Sequence, residues 1–97
     1  MKIAVITGAS SGLGAEYVSA VIKERPALDE VWVIARRAER LEKLKSRFGD
    51  KIRPVPMDIT DAAAVEEYRR ALESSGAEVQ LLINNAGFGK LGNTHSF

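Results

Sequence analysis

Four short apolar runs begin near Ile3, Val31, Ile52 and Leu81, and three longer stretches lie between them in which apolar residues recur at helical spacing. The runs are rich in β-branched residues and apolar on both faces, which suits strands of a parallel sheet covered on both sides. The alternation predicts an α/β fold, βαβαβαβ, with right-handed crossovers. The first helix is predicted from about Gly12 to Arg25, with Leu13, Val18, Val21 and Ile22 facing inward, Ser11 as its N-cap and Pro26 as its stop. The second strand reads Val31–Ala35. The second helix follows over Ala38–Phe48, with Leu41, Leu44 and Phe48 on one face and Gly49 ending it. The third strand, Ile52–Met57, carries Pro54 and Pro56, which suit an edge. The third helix starts after Thr60 as cap, places Val65, Tyr68 and Leu72 on one face, and ends at Ser74-Ser75-Gly76. The fourth strand is Val79–Asn84, and from Gly87 onward the chain reads as loop.

The first run feeds directly into Thr7-Gly8-Ala9-Ser10-Ser11-Gly12-Leu13-Gly14, a glycine turn between a strand and a helix. Amides at a helix start lack intrahelical partners and carry partial positive charge, so a phosphate placed there meets donors and a favourable dipole together. Gly8 is expected to turn the chain out of the strand. Gly12 would face a pyrophosphate, and Gly14 would let the helix pack closely on the sheet.

Composition narrows the classes. The 97 residues are 45% hydrophobic and 28% charged with net charge +1, which exerts no overall pull towards nucleic acid or membranes. No cysteine is present, which excludes disulfides, thiolate chemistry and Cys-based zinc sites. Met1-Lys2 is followed by only four apolar residues before Thr7-Gly8, too few for a signal peptide's apolar region, and no later run is long enough to span a bilayer. The expectation is a cytoplasmic protein. Residues 36–47 hold six positive and two negative charges, but without interleaved stacking aromatics they do not read as a nucleic-acid surface. His95, the only histidine, has no neighbouring ligand and reads as an exposed tail residue. Trp32 reads as core.

The spacing T-G-x-x-x-G-x-G at Thr7, Gly8, Gly12 and Gly14 resembles the glycine motif of the short-chain dehydrogenase/reductase family. Asn84-Asn85-Ala86-Gly87 after the apolar run Leu81-Leu82-Ile83 is a second match, and Asp58 at the end of the third strand is a third. Their order, each at a strand end, makes the resemblance specific. It implies a Rossmann-like sheet of order 3-2-1-4, and a single partial NAD(P)-binding domain over residues 1–97, well under half of a complete member. It also implies a cofactor site made of Gly8, Ser10, Ser11, Gly12, Leu13, Gly14, Arg36, Arg37, Asp58, Ile59, Asn84, Ala86 and Gly87. The second strand ends Ile34-Ala35-Arg36-Arg37, with Ala35 where an NAD site carries a carboxylate. A guanidinium there can bind a 2′-phosphate bidentately, so NADP(H) is the expected cofactor, with Arg36 ahead of Arg37. The competing reading leaves both arginines on the solvated face of the second helix, and the family's basic residue before the second glycine is replaced by Ser11. Asp58 has two readings, acceptor for the adenine amino group or cap of the Thr60-Asp61 turn. Asn84 likewise either follows the cofactor or ties the fourth strand to its neighbours.

The resemblance also implies hydride transfer between nicotinamide and a carbonyl or alcohol, assisted by a tyrosine with a lysine four residues on. Here Val21 and Leu72 stand four residues after Tyr17 and Tyr68, so no catalytic residue is assigned and this chain alone is expected to be inactive. The alternative is a non-catalytic nucleotide-binding module or an inactive truncated product. In the order 3-2-1-4 the strand 79–84 lies on an open edge, which predicts pairing with a missing half or a second copy.

Overall fold

The computed structural model describes residues 1–9 and 12–84, and the backbone of 94–96. Strands β1 (Lys2–Thr7), β2 (Glu30–Ala35), β3 (Ile52–Pro56) and β4 (Glu78–Asn84) alternate with helices α1 (Gly12–Glu24), α2 (Ala38–Phe48) and α3 (Ala62–Ser75). The four strands are parallel in the order β3-β2-β1-β4, as predicted. A short fifth strand, β5 (Thr94–Ser96), pairs antiparallel with Leu81–Ile83 of β4. This corrects two expectations. Residues 94–96 are strand rather than loop, and the outer edge of β4 is occupied over three positions by this chain's own backbone.

Alternation along the strands feeds two cores. Ala4, Ile6, Val31, Val33, Leu81 and Ile83 point to one face of the sheet and pack with α1 and α2. Ile3, Val5, Trp32 and Ile34 point to the other, where Tyr68, Ala71 and Leu72 of α3 partly cover them. The parity of β4 changes at Gln80: Ile3 pairs with Val79 but Ala4 with Leu81. That one-residue bulge puts Val79 and Leu82 on the same face despite their odd spacing.

Local sequence explains the helix bounds. Gly49 (φ 98°) and Gly76 (φ 67°) end α2 and α3 in conformations that favour glycine, each donating its N–H back into the last turn. Asp61, not Thr60, caps α3, its carboxylate accepting from the Ala63 N–H at 3.0 Å. On α1 the buried positions are Gly14, Val18 and Val21, while Leu13 is 56% exposed. The inward stripe is registered on Gly14, and Leu13 lies one residue off it. Val65 is also more exposed than its spacing with Tyr68 and Leu72 predicts. Pro54 and Pro56 sit on the edge strand β3, where a missing N–H is tolerated. Among the described residues no helix is long and apolar enough to cross a membrane.

Candidate functional site

The sequence motifs converge on the carboxyl ends of the parallel strands, where open α/β sheets place their ligand crevices. At the end of β1, Gly8 adopts φ 65° and turns the chain out of the sheet. The next residue folds back: the Ala9 N–H donates to the Ile34 C=O at 3.1 Å, and Ala9 is fully buried. Helix α1 then sits on that turn. A Cβ on Gly14 would lie 2.3 Å from the Ala9 carbonyl oxygen and 2.6 Å from its Cα, so only glycine permits this approach. Gly12 differs. A Cβ there would meet none of the described residues within 4 Å, so they leave the first turn of α1 open at this point. Leu13 beside it is exposed. Ser10 and Ser11, the remaining site residues of this turn and the predicted N-cap, lie outside the described residues, as do Ala86 and Gly87.

Beside the turn, β2 ends at Ala35, whose C=O accepts from the Met57 N–H at 2.9 Å. Arg36 and Asp58 therefore leave the sheet from adjacent strand ends. Both arginines are exposed; Arg37 is the N-cap position of α2 and makes no side-chain cap hydrogen bond. Asp58 takes the turn-capping arrangement. Its Oδ1 accepts from the Thr60 hydroxyl at 2.6 Å and the Thr60 N–H at 2.9 Å. These two bonds, the hydroxyl's first, hold the carboxyl below its ordinary pKa against a small opposing effect of burial, and the nearby Arg36 charge lowers it further.

Asn84 has a structural tie. The Thr7 hydroxyl donates to its Oδ1 at 2.8 Å, tying the last residues of β1 and β4 where they pair in the sheet. Ile59 lies partly buried against the α3-side core. It borders a cavity of about 250 Å³ whose lining also includes Thr7, Ile34, Met57, Tyr68 and Asn84. The glycine turn, two exposed arginines and a carboxylate thus leave neighbouring strand ends, with an apolar cavity on the α3 side of the same sheet. This set suits an elongated ligand with phosphates at one end and a flat apolar group at the other. No cluster of metal-ligating side chains occurs among the described residues. Sequence reasoning missed Thr7 and Thr60 as the groups that hold Asn84 and Asp58. The D-x-T spacing of Asp58 and Thr60 was the available signal for the second.

A family model described as short chain dehydrogenase matches residues 2–97. A probable NADP-dependent dehydrogenase of Dichelobacter nodosus is 39% identical over 85 residues, covering 88% of this chain and 77% of that protein. The NADP-dependent 3-hydroxy acid dehydrogenase YdfG of Escherichia coli is 33% identical over 85 residues, 88% of this chain but 33% of that protein. Among solved structures, L-sorbose reductase from Gluconobacter frateurii, complexed with NADPH and L-sorbose, superposes with a TM-score of 0.72 at 33% identity, over 92% of this chain and 34% of that one. The chain spans about a third of the length of these last two relatives.

Proposed function

The chain belongs to the short-chain dehydrogenase family, and we propose on that premise that residues 1–97 are a partial domain serving as the NADP(H)-binding part of an oxidoreductase. The observation that carries this reading is the contrast between the two helix glycines. Gly14 is required by the packing of α1 on Ala9, but none of the described residues requires Gly12, whose added Cβ would meet none of them at the helix start. A bare α carbon at that point fits a pyrophosphate drawn to the helix amides.

A dinucleotide held here would supply the hydride chemistry through its nicotinamide. This chain's residues do the binding and orienting. The turn Gly8–Gly14 receives the pyrophosphate. Arg36, with Arg37 behind it, neutralises the 2′-phosphate. Asp58 and Ile59 take the adenine, the carboxylate by its remaining oxygen and the side chain by apolar contact. Thr7 fixes Asn84 at the end of β4. No Y-x-x-x-K occurs within residues 1–97, so no proton-transfer role falls to a residue of this chain. NADP-dependent relatives support the cofactor, and the arginines at the end of β2 give it a physical basis.

The test is calorimetric titration of the chain with NADPH and NADH, before and after Arg36→Asp. Charge-assisted hydrogen bonds contribute about 1.5–3 kcal/mol each, so NADPH is expected to weaken roughly ten- to hundredfold while NADH changes little. Equal weakening of both cofactors would remove the 2′-phosphate role from Arg36.

A further inference from the structure

Asp58 carries two acceptor oxygens, and the fold uses only one. Oδ1 takes both bonds from Thr60, while Oδ2 accepts from none of the described residues. A carboxylate turns easily about its terminal torsion, so an unrestrained Asp58 would present either oxygen in a range of planes. The charge that acts on it is Arg36, which follows the adjacent strand end and would draw an unrestrained carboxylate towards itself. The two Thr60 donors prevent this. One is a backbone amide, itself fixed because the Asp61 N–H donates to the Asp58 C=O at 3.0 Å and Asp61 caps α3. The other is the hydroxyl, which closes the same turn from the side-chain direction. Two bonds converging on one oxygen fix the carboxylate plane and leave the other oxygen without a donor among the described residues.

We propose that Thr60 is a positioning residue for base recognition: its hydroxyl locks Asp58 so that Oδ2 stays directed at a six-amino purine in the cleft. Thr60 itself does not touch the ligand. This rests on the dinucleotide reading of the cleft, and goes beyond it in assigning base selectivity to a side chain outside the contact set. Without the hydroxyl, the backbone bond alone restrains Asp58. The carboxylate then spends part of its time turned towards Arg36, and the amino group of the base loses a fixed acceptor.

The experiment compares NADPH with its hypoxanthine analogue, in which the base amino group is replaced by a carbonyl. Both are titrated calorimetrically into the wild-type chain, Thr60→Val and Thr60→Ser. The wild type is expected to prefer NADPH by about tenfold or more, the value of a hydrogen bond to a charged acceptor. Thr60→Val should cut that preference by at least about threefold, and Thr60→Ser, which restores the hydroxyl, should retain it. Thr60 is exposed, so the valine variant keeps the fold, and circular dichroism checks this. A merely structural role for Thr60 would weaken both ligands alike and leave their ratio unmoved; that result overturns the proposal. A wild type that binds NADPH and the analogue equally also overturns it. A wild type that binds neither overturns the dinucleotide reading itself, and the proposal with it.

Discussion

Gly12 and Gly14 lie two residues apart in the same helix turn, yet substituting each by alanine should produce opposite phenotypes. At Gly14 the added methyl would sit 2.3 Å from a backbone oxygen and 2.6 Å from a backbone Cα. No rotamer relieves a backbone clash. Reaching ordinary contact at 3.4 Å requires α1 to back off by about 1 Å (3.4 − 2.3). A gap of that size forfeits a quarter to a half of each dispersion contact along the helix seat, where Val18 and Val21 are buried. Overpacking of this kind costs about 1–3 kcal/mol, and the poor relief available argues for the upper half of that range. Alanine's helix propensity returns at most about 1 kcal/mol. A net loss of about 2 kcal/mol lowers the melting temperature of a domain this size by roughly 8–16 °C.

Gly12→Ala meets none of the described residues, and Gly12 is not among the glycines with positive φ. Its stability should therefore stay level or rise by up to about 1 kcal/mol. Its affinity for NADPH should fall by about tenfold or more, because the methyl occupies the place proposed for the pyrophosphate, where a lost charge-assisted bond alone costs that much. Trp32, the only tryptophan and 1% exposed, reports unfolding through its fluorescence in urea. Calorimetry reports binding. Equal stability loss in the two variants, or undiminished NADPH binding by Gly12→Ala, would refute the division of labour between the glycines.

Two further predictions concern α3. Burial raises the Tyr68 phenol above its ordinary value of 10.0. The folded chain thus holds this proton more tightly than the unfolded one, and the associated stability is complete below about pH 10 and lost as pH rises through the folded value. Urea midpoints at neutral pH and at about pH 11 should therefore show a smaller alkaline loss for Tyr68→Phe than for wild type. An identical loss in both would place the alkaline sensitivity elsewhere. Asp61→Ala removes the α3 cap and should cost about 1 kcal/mol, with Asp61→Asn retaining most of it; thermal melts in which alanine matches wild type would deny the cap any energetic role.

Elements whose identity rests on local chemistry were readable in advance. The β-branched runs at Ile3 and Val31 and the glycine turn between the first strand and helix are local signals, as are the stop at Gly49 and the edge prolines Pro54 and Pro56. Elements decided by competition between neighbours were not. Thr60 and Asp61 are both good caps, and Thr60 loses because Asp58 has already engaged its hydroxyl. Leu13 looks like the inward residue of α1 by hydropathy, but the helix approaches the sheet too closely at that level for anything except Gly14. The bulge at Gln80 depends on pairing with β1, which no pattern within Val79–Asn84 encodes. Thr94-His95-Ser96 carries no apolar alternation; its strand state comes from the edge of β4 alone.

Burial is distributed along the sheet in a way that bears on how the cleft works. β1 and β2 are buried over nearly their whole length, while β3 and β4 are only intermittently so. The glycine turn springs from β1 and the arginines from β2, so the groups proposed for the phosphates stand on the best-packed strands. Asp58 follows β3 and Asn84 ends β4, on the less buried flanks. Each flank residue is held by a threonine: Asp58 by Thr60, and Asn84 by Thr7. Local stability follows buried apolar contact, so the flanks are where a site of this kind would lose its geometry first. A threonine hydroxyl, across the strand ends at Asn84 and within the turn at Asp58, supplies in orientation what packing does not supply there. On the proposed reading, preorganisation therefore has two sources, close packing beneath the groups proposed for the phosphates and hydroxyl bonds on the flanks. The second source is the more easily edited by a single substitution.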